Sequence, residues 1–143
     1  MTGSCIGVDY GLRRTGFAVG DTEHRLAMAH GTHVEGRDGS LLVAIRDLAA
    51  ARGADTVVLG LPLTADGREG DMVARVRRFA AVIERDTELR VVLWDERFSS
   101  AEADRWLALR KAPGKEERDA VAAAIILQSW LDSPLSSSSG SKS

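Results

Sequence analysis

A single cysteine, Cys5, leaves the chain without a disulfide framework and without any cysteine-based zinc spacing. A reducing compartment suits such a sequence, and the cytoplasm is the expected location. No apolar run approaches the roughly 18 residues of a membrane span, and the first residues lack the basic stretch and apolar segment of a secretion signal. Neither insertion in a membrane nor secretion is expected. An excess of positive charge is also missing: the formal net charge is −2, so attraction to nucleic acid would have to come from local patches. There is no Walker sequence, no dinucleotide fingerprint and no internal repeat. What remains is 143 residues, 44% hydrophobic and 28% charged, a length and balance that fit one domain with a real core. That domain is expected over residues 1–133, followed by a serine-rich tail, 134–143, too polar to join a core and expected to be disordered.

The pattern along the chain alternates in period. Strand-like runs at 4–9 and 14–20 are joined by Tyr10-Gly11-Leu12-Arg13, which reads as a hairpin, and a third run at 26–34 extends it into a meander. After Gly39 the spacing turns helical, with Leu41, Leu42, Ile45, Leu48 and Ala49 on one face. Residues 56–60 form a short continuous apolar run of the kind found in a parallel strand buried on both faces. Residues 71–86 then carry Val73, Val76, Phe79, Ala80 and Ile83 at helical spacing. A further buried-type strand, 90–94, ends in Asp95-Glu96-Arg97. Ser99-Ser100-Ala101-Glu102 matches a capping box and predicts a helix to about Arg110. Pro113-Gly114 breaks the chain before a last helix from about Glu116 to Leu131. Antiparallel strands followed by strand–helix alternation predict an α/β fold, a mixed five-stranded sheet of three antiparallel and then two parallel strands, with helices on both faces.

Acidic residues fall where such a sheet binds ligands. Asp9 interrupts an apolar strand at its carboxyl end, where an unpaired charge costs several kcal/mol. Asp95 and Glu96 stand at the carboxyl end of the last strand. Asp119 heads the stripe Ala122, Ala123, Ile126 and Trp130 of the final helix, and its small alanines would let the helix approach the sheet closely. Carboxylates gathered at strand ends raise one another's pKa unless a cation lies between them. Hard oxygen ligands suit Mg²⁺ or Mn²⁺, and the chemistry such clusters perform is hydrolysis of phosphodiesters. Each acid also has a plainer reading: Asp9 as an acceptor for backbone amides, Asp95 or Glu96 as a partner of Arg97 or a helix cap, Asp119 as a helix-dipole residue.

Four segments taken together, "GVDYGLRRTGFAVGD", "VVLGLPLTADGREG", "DERFSS" and "KEERDAVAAAIILQSWL", resemble in order and spacing the YqgF/RuvX family, whose members are named as pre-16S rRNA nucleases and described as Holliday junction resolvase-like. The resemblance runs from Gly7 to Leu131. It implies a ribonuclease H-like fold and a divalent-metal nuclease acting on structured nucleic acid, pre-rRNA or branched DNA, with Asp9, Glu96 and Asp119 as catalytic metal ligands and Asp95 adjacent. Phe98 and Ser99-Ser100 stand where the family often has leucine and threonines, Arg118 where an apolar residue is usual, and Gly60 where some related nucleases carry an acid.

Arg13, Arg14 and Arg97 sit beside the acids, and Lys115 opens the last helix; guanidinium groups so placed hold phosphates bidentately, although solvated surface charge is the ordinary reading of each. Gly60-Leu61-Pro62 with Gly67 and Gly70 reads either as a flap over the substrate or as a plain loop. His30 and His33, three apart in a strand, point to opposite faces and make a poor metal pair. Cys5, Trp94, Trp106 and Trp130 read as core. Two rival functions are a nucleotide-binding module, because "DYGLRRTG" also resembles the phosphate loop of the actin and sugar kinase group, and a non-catalytic assembly factor. The first needs a second lobe that this length does not accommodate. Symmetric cutting of a four-way junction would need a homodimer; a monomer suffices otherwise.

Overall fold

A computed structural model describes residues 3–36, 39–63, 70–96 and 115–136. Its elements are β1 (Ser4–Asp9), β2 (Arg14–Asp21), β3 (Leu26–Val34), α1 (Ser40–Arg52), β4 (Thr56–Leu61), α2 (Asp71–Asp86), β5 (Arg90–Asp95) and α3 (Lys115–Asp132). The helix expected from Ser99 to Arg110 lies outside the described residues, as do Trp106 and most of the loop after Pro62.

The strands form one sheet in the order β3-β2-β1-β4-β5. β3, β2 and β1 run antiparallel, and β4 and β5 run parallel to β1. This is the predicted mixed sheet. Alternation then divides the side chains between two cores. Ile6, Val8, Phe17, Val57, Leu59 and Leu61 face α1 and α2, meeting Leu41, Ile45, Val73, Val76 and Ile83. Cys5, Ala18, Val58 and Trp94 face α3, meeting Ala123, Ala124, Ile126, Leu127 and Trp130. Helices cover both faces, which is why β1 and β4 read as unbroken apolar runs. Gly53, in the left-handed region at φ 65°, ends α1.

Glycine decides how close α3 comes. A Cβ added to Gly7 would stand 2.7 Å from both the Ala123 carbonyl oxygen and Leu127 Cβ, and one added to Gly16 would overlap the backbone carbonyl of Asp119. The helix backbone therefore lies directly on β1 and β2. Its far end is held by side chains: Gln128 accepts from the Ala27 amide at 2.9 Å and donates to the Arg25 carbonyl at 2.9 Å, tying α3 to the edge strand β3. Trp94 Nε1 donates to Ser129 Oγ at 2.9 Å inside the core. Ser129→Ala should cost about 1–3 kcal/mol in a denaturant titration, because it removes the hydroxyl that accepts from a buried indole N–H; an unchanged midpoint would show that this bond contributes little.

One feature at the carboxyl end differs from the expectation of a polar tail from residue 134. The described fold continues three residues past the expected boundary at 133: Ser136 is fully buried, and its hydroxyl donates to the Leu131 carbonyl at 3.0 Å. Residues 137–143 lie outside the described residues. Among the described residues no helix is long and apolar enough to cross a membrane.

Candidate active site

Asp9 ends β1 between two strands that present no side chain beside it. On one side it pairs in register with Gly16 of β2; on the other, one step past the Val8–Leu59 pair, it adjoins Gly60 of β4. Both gaps are used. The first turn of α3 presses its Asp119 backbone over Gly16, and the side chain of Glu96 lies over Gly60, where an added Cβ would stand 2.7 Å from Glu96 Oε2 and 2.6 Å from Ile126 Cδ1. Three acids from β1, the end of β5 and α3 are thereby brought to one corner of the sheet, at the carboxyl ends of the parallel strands.

The electrostatics match that arrangement. Burial, then the charges of Glu96 and Asp119, push the Asp9 carboxyl up to about 7. Glu96 is also raised, first by burial and then by Asp95. Asp119 has a cationic partner: Arg14 Nε, on β2, donates to its Oδ2 at 2.6 Å. Among the described residues no three His, Cys, Asp or Glu side chains already close around a single point. The acids are neighbours, with Arg14 occupying one of them.

Of the adjacent pair, Glu96 is the one carried to Asp9. By alternation Asp95 shares the face of Val91 and Leu93, opposite to Trp94, so its influence on the site runs through Glu96. Arg13 is exposed on the β1–β2 turn. Thr15 closes that turn, its Oγ1 lying 3.3 Å from the Gly11 amide. Tyr10 packs on Phe79 of α2, ring centroids 5.3 Å apart, and so anchors the backbone next to Asp9 from the opposite face. Arg97 lies outside the described residues; Lys115 begins α3, its side chain likewise outside them. His33 meets Ser40 at 3.1 Å rather than His30. Cys5 is core, its thiol pushed up to about 12 by burial, and Trp94 and Trp130 are core as expected.

Gly16, Gly7 and Tyr10 are the site-building residues that the sequence pattern did not single out. The available signal was glycine inside strands, at 7, 16 and 60, which marks close approach of another chain segment.

A mixed sheet in this order, with a helix near the carboxyl end laid across it, defines a ribonuclease H-like fold. The fold is shared with Thermus thermophilus RuvC in complex with a Holliday junction substrate, at a TM-score of 0.58 and 16% identity over 90% of this chain and 93% of that one. It is shared also with the fowlpox virus Holliday junction resolvase, at a TM-score of 0.53 and 14% identity over 90% and 98%. The chain belongs to the RuvX family, whose model, described as Holliday junction resolvase, matches residues 3–133. A relative from Anaeromyxobacter dehalogenans, 42% identical over 89% of this chain and 95% of its own length, carries the name "Putative pre-16S rRNA nuclease". One from Chloroflexus aggregans, 38% identical over 89% and 92%, carries the same name.

Proposed function

We propose that this protein is a divalent-metal-dependent nuclease that hydrolyses phosphodiester bonds in structured nucleic acid, with the 5′ end of pre-16S rRNA as its substrate. The observation that carries this reading is the glycine-flanked Asp9, whose carboxyl is raised to about 7 first by its burial and then by the charges of Glu96 and Asp119 beside it. A set of hard oxygen donors with surplus negative charge fits Mg²⁺ or Mn²⁺, which Asp9, Glu96 and Asp119 would hold. Bound there, such ions lower the pKa of water and neutralise charge on the phosphate. The protein's own part is placement. Asp9 must be deprotonated to serve, so the site gains strength as the pH rises through about 7. Arg13 and Arg14, with Arg97 and Lys115 at the neighbouring segments, would fix the phosphate backbone. The name carried by the relatives supports RNA as the substrate.

The description of the family model favours a second substrate, a four-way DNA junction cut by a homodimer. One experiment decides between them: labelled pre-16S leader RNA and a labelled junction, each incubated with Mg²⁺, Mn²⁺ or EDTA. Cleavage of the RNA with either ion and none in EDTA is expected. Preference for the junction would move the substrate to DNA; no cleavage of either by folded, binding-competent protein would favour a non-catalytic factor.

A further inference from the structure

The arginine that faces the acids is not pointed at open solvent, as a ready phosphate clamp would be. Arg14 Nε meets Asp119 Oδ2 at 2.6 Å, with the two side chains 35% and 23% exposed. Both ends of that pair hang from fixed backbone. The Asp119 carbonyl lies directly over Gly16. Arg14 is held in the sheet by its pairing with Val34 and sits next to the turn that Thr15 closes onto Gly11. Only side-chain rotation can separate them, and their partial exposure leaves room for it. Meanwhile Asp119 lies near enough to act on the Asp9 charge, yet no three acids surround one point among the described residues. The guanidinium holds the Asp119 carboxylate, which a cation shared with Asp9 and Glu96 would also need.

We propose that Arg14 is a positioning residue with two successive partners: it holds the carboxylate of Asp119 until a divalent cation replaces it, and the guanidinium so released turns to a phosphate of the nucleic acid. This inference rests on the metal-dependent nuclease reading. Its consequence is coupling. The ion and the guanidinium are both cations competing for one carboxylate, so each excludes the other there, whereas the ion and the phosphate favour each other through the freed arginine. The acid cluster is also kept partly neutralised before any ion arrives.

The test is calorimetric titration of Mn²⁺ into the metal-free full chain, without nucleic acid, for wild type, Arg14→Gln and Arg14→Lys, with circular dichroism to establish that each is folded. Arg14→Gln should bind Mn²⁺ roughly 3- to 10-fold more tightly, since it removes the competing charge of a partly exposed pair. Arg14→Lys, which keeps the charge, should stay near the wild type. At saturating Mn²⁺, Arg14→Gln should raise KM for the leader RNA by about ten-fold, the share of one charged phosphate contact. Weaker or unchanged Mn²⁺ binding by Arg14→Gln would overturn the competition, and tighter binding with unchanged KM would overturn the transfer to phosphate. If the wild-type chain binds and uses Mn²⁺ in either case, the nuclease reading stands alone; if it binds no Mn²⁺, both fall.

Discussion

Asp9→Asn is expected to abolish cleavage while making the metal-free protein more stable at alkaline pH. Activity should drop by about three orders of magnitude, corresponding to the several kcal/mol of charge stabilisation that a bound ion supplies. The stability change follows from the raised carboxyl. Its folded value, about 7, lies above the ordinary aspartate value of 3.8, so its protonated form is favoured by folding. The contribution to stability is fully present below about 4 and is lost as the pH rises through 7. At pH 8 the ionised carboxylate opposes the fold by an amount of the order of a few kcal/mol. The neutral amide does not. Thermal melts in EDTA should therefore put Asp9→Asn above wild type at pH 8, with the gap closing towards pH 4. Mg²⁺ should stabilise the wild type and leave the variant unmoved. A variant melting below wild type at pH 8 would show that Asp9 accepts structural hydrogen bonds and is not a carboxylate awaiting an ion.

Gly16→Ala should be the most damaging single-methyl change in the sheet. The added carbon would overlap the backbone carbonyl of Asp119, and backbone cannot rotate aside as a side chain can. Either α3 lifts or β2 shifts, at about 1–3 kcal/mol for overpacking, and a displacement near 1 Å at Asp119 should cost about 10²-fold in cleavage. Gly31→Ala is the internal control. It lies in β3 with nothing within 4 Å of the added carbon, so both its melting temperature and its activity should remain near wild type. Equal behaviour of the two variants would mean that α3 does not rest on β2 as described.

The sequence was most informative where one local signal determined one local outcome. β1, β3 and α2 begin and end where their apolar periodicity and flanking turn residues say they should, and a charge set in an apolar strand pointed directly at Asp9. The choice between Asp95 and Glu96 was not legible, because it depends on which residue leaves the pleat at the end of β5, and sequence alternation does not announce that step. The glycines were visible but not their purpose, which is fixed by a helix far along the chain. The ion pair of Arg14 and Asp119 spans 105 positions, and neither residue carries a mark of the other. Composition likewise placed Ser136 in a polar tail, although a hydroxyl can satisfy the last carbonyls of a helix and be buried while doing so.

The glycine-seated helix has a consequence for the order in which the protein is made. Synthesis delivers the amino-terminal residues first, so β1, β2 and β3 emerge with Asp9 and Arg14 long before α3 exists. Until Asp119 follows, the corner of the sheet lacks one carboxylate and the bare glycine track has no helix upon it. A chain halted before that residue already carries all five strands but not the helix that lies on them. On the proposed site, which needs Asp119, nuclease activity would thus be the last property the growing polypeptide acquires.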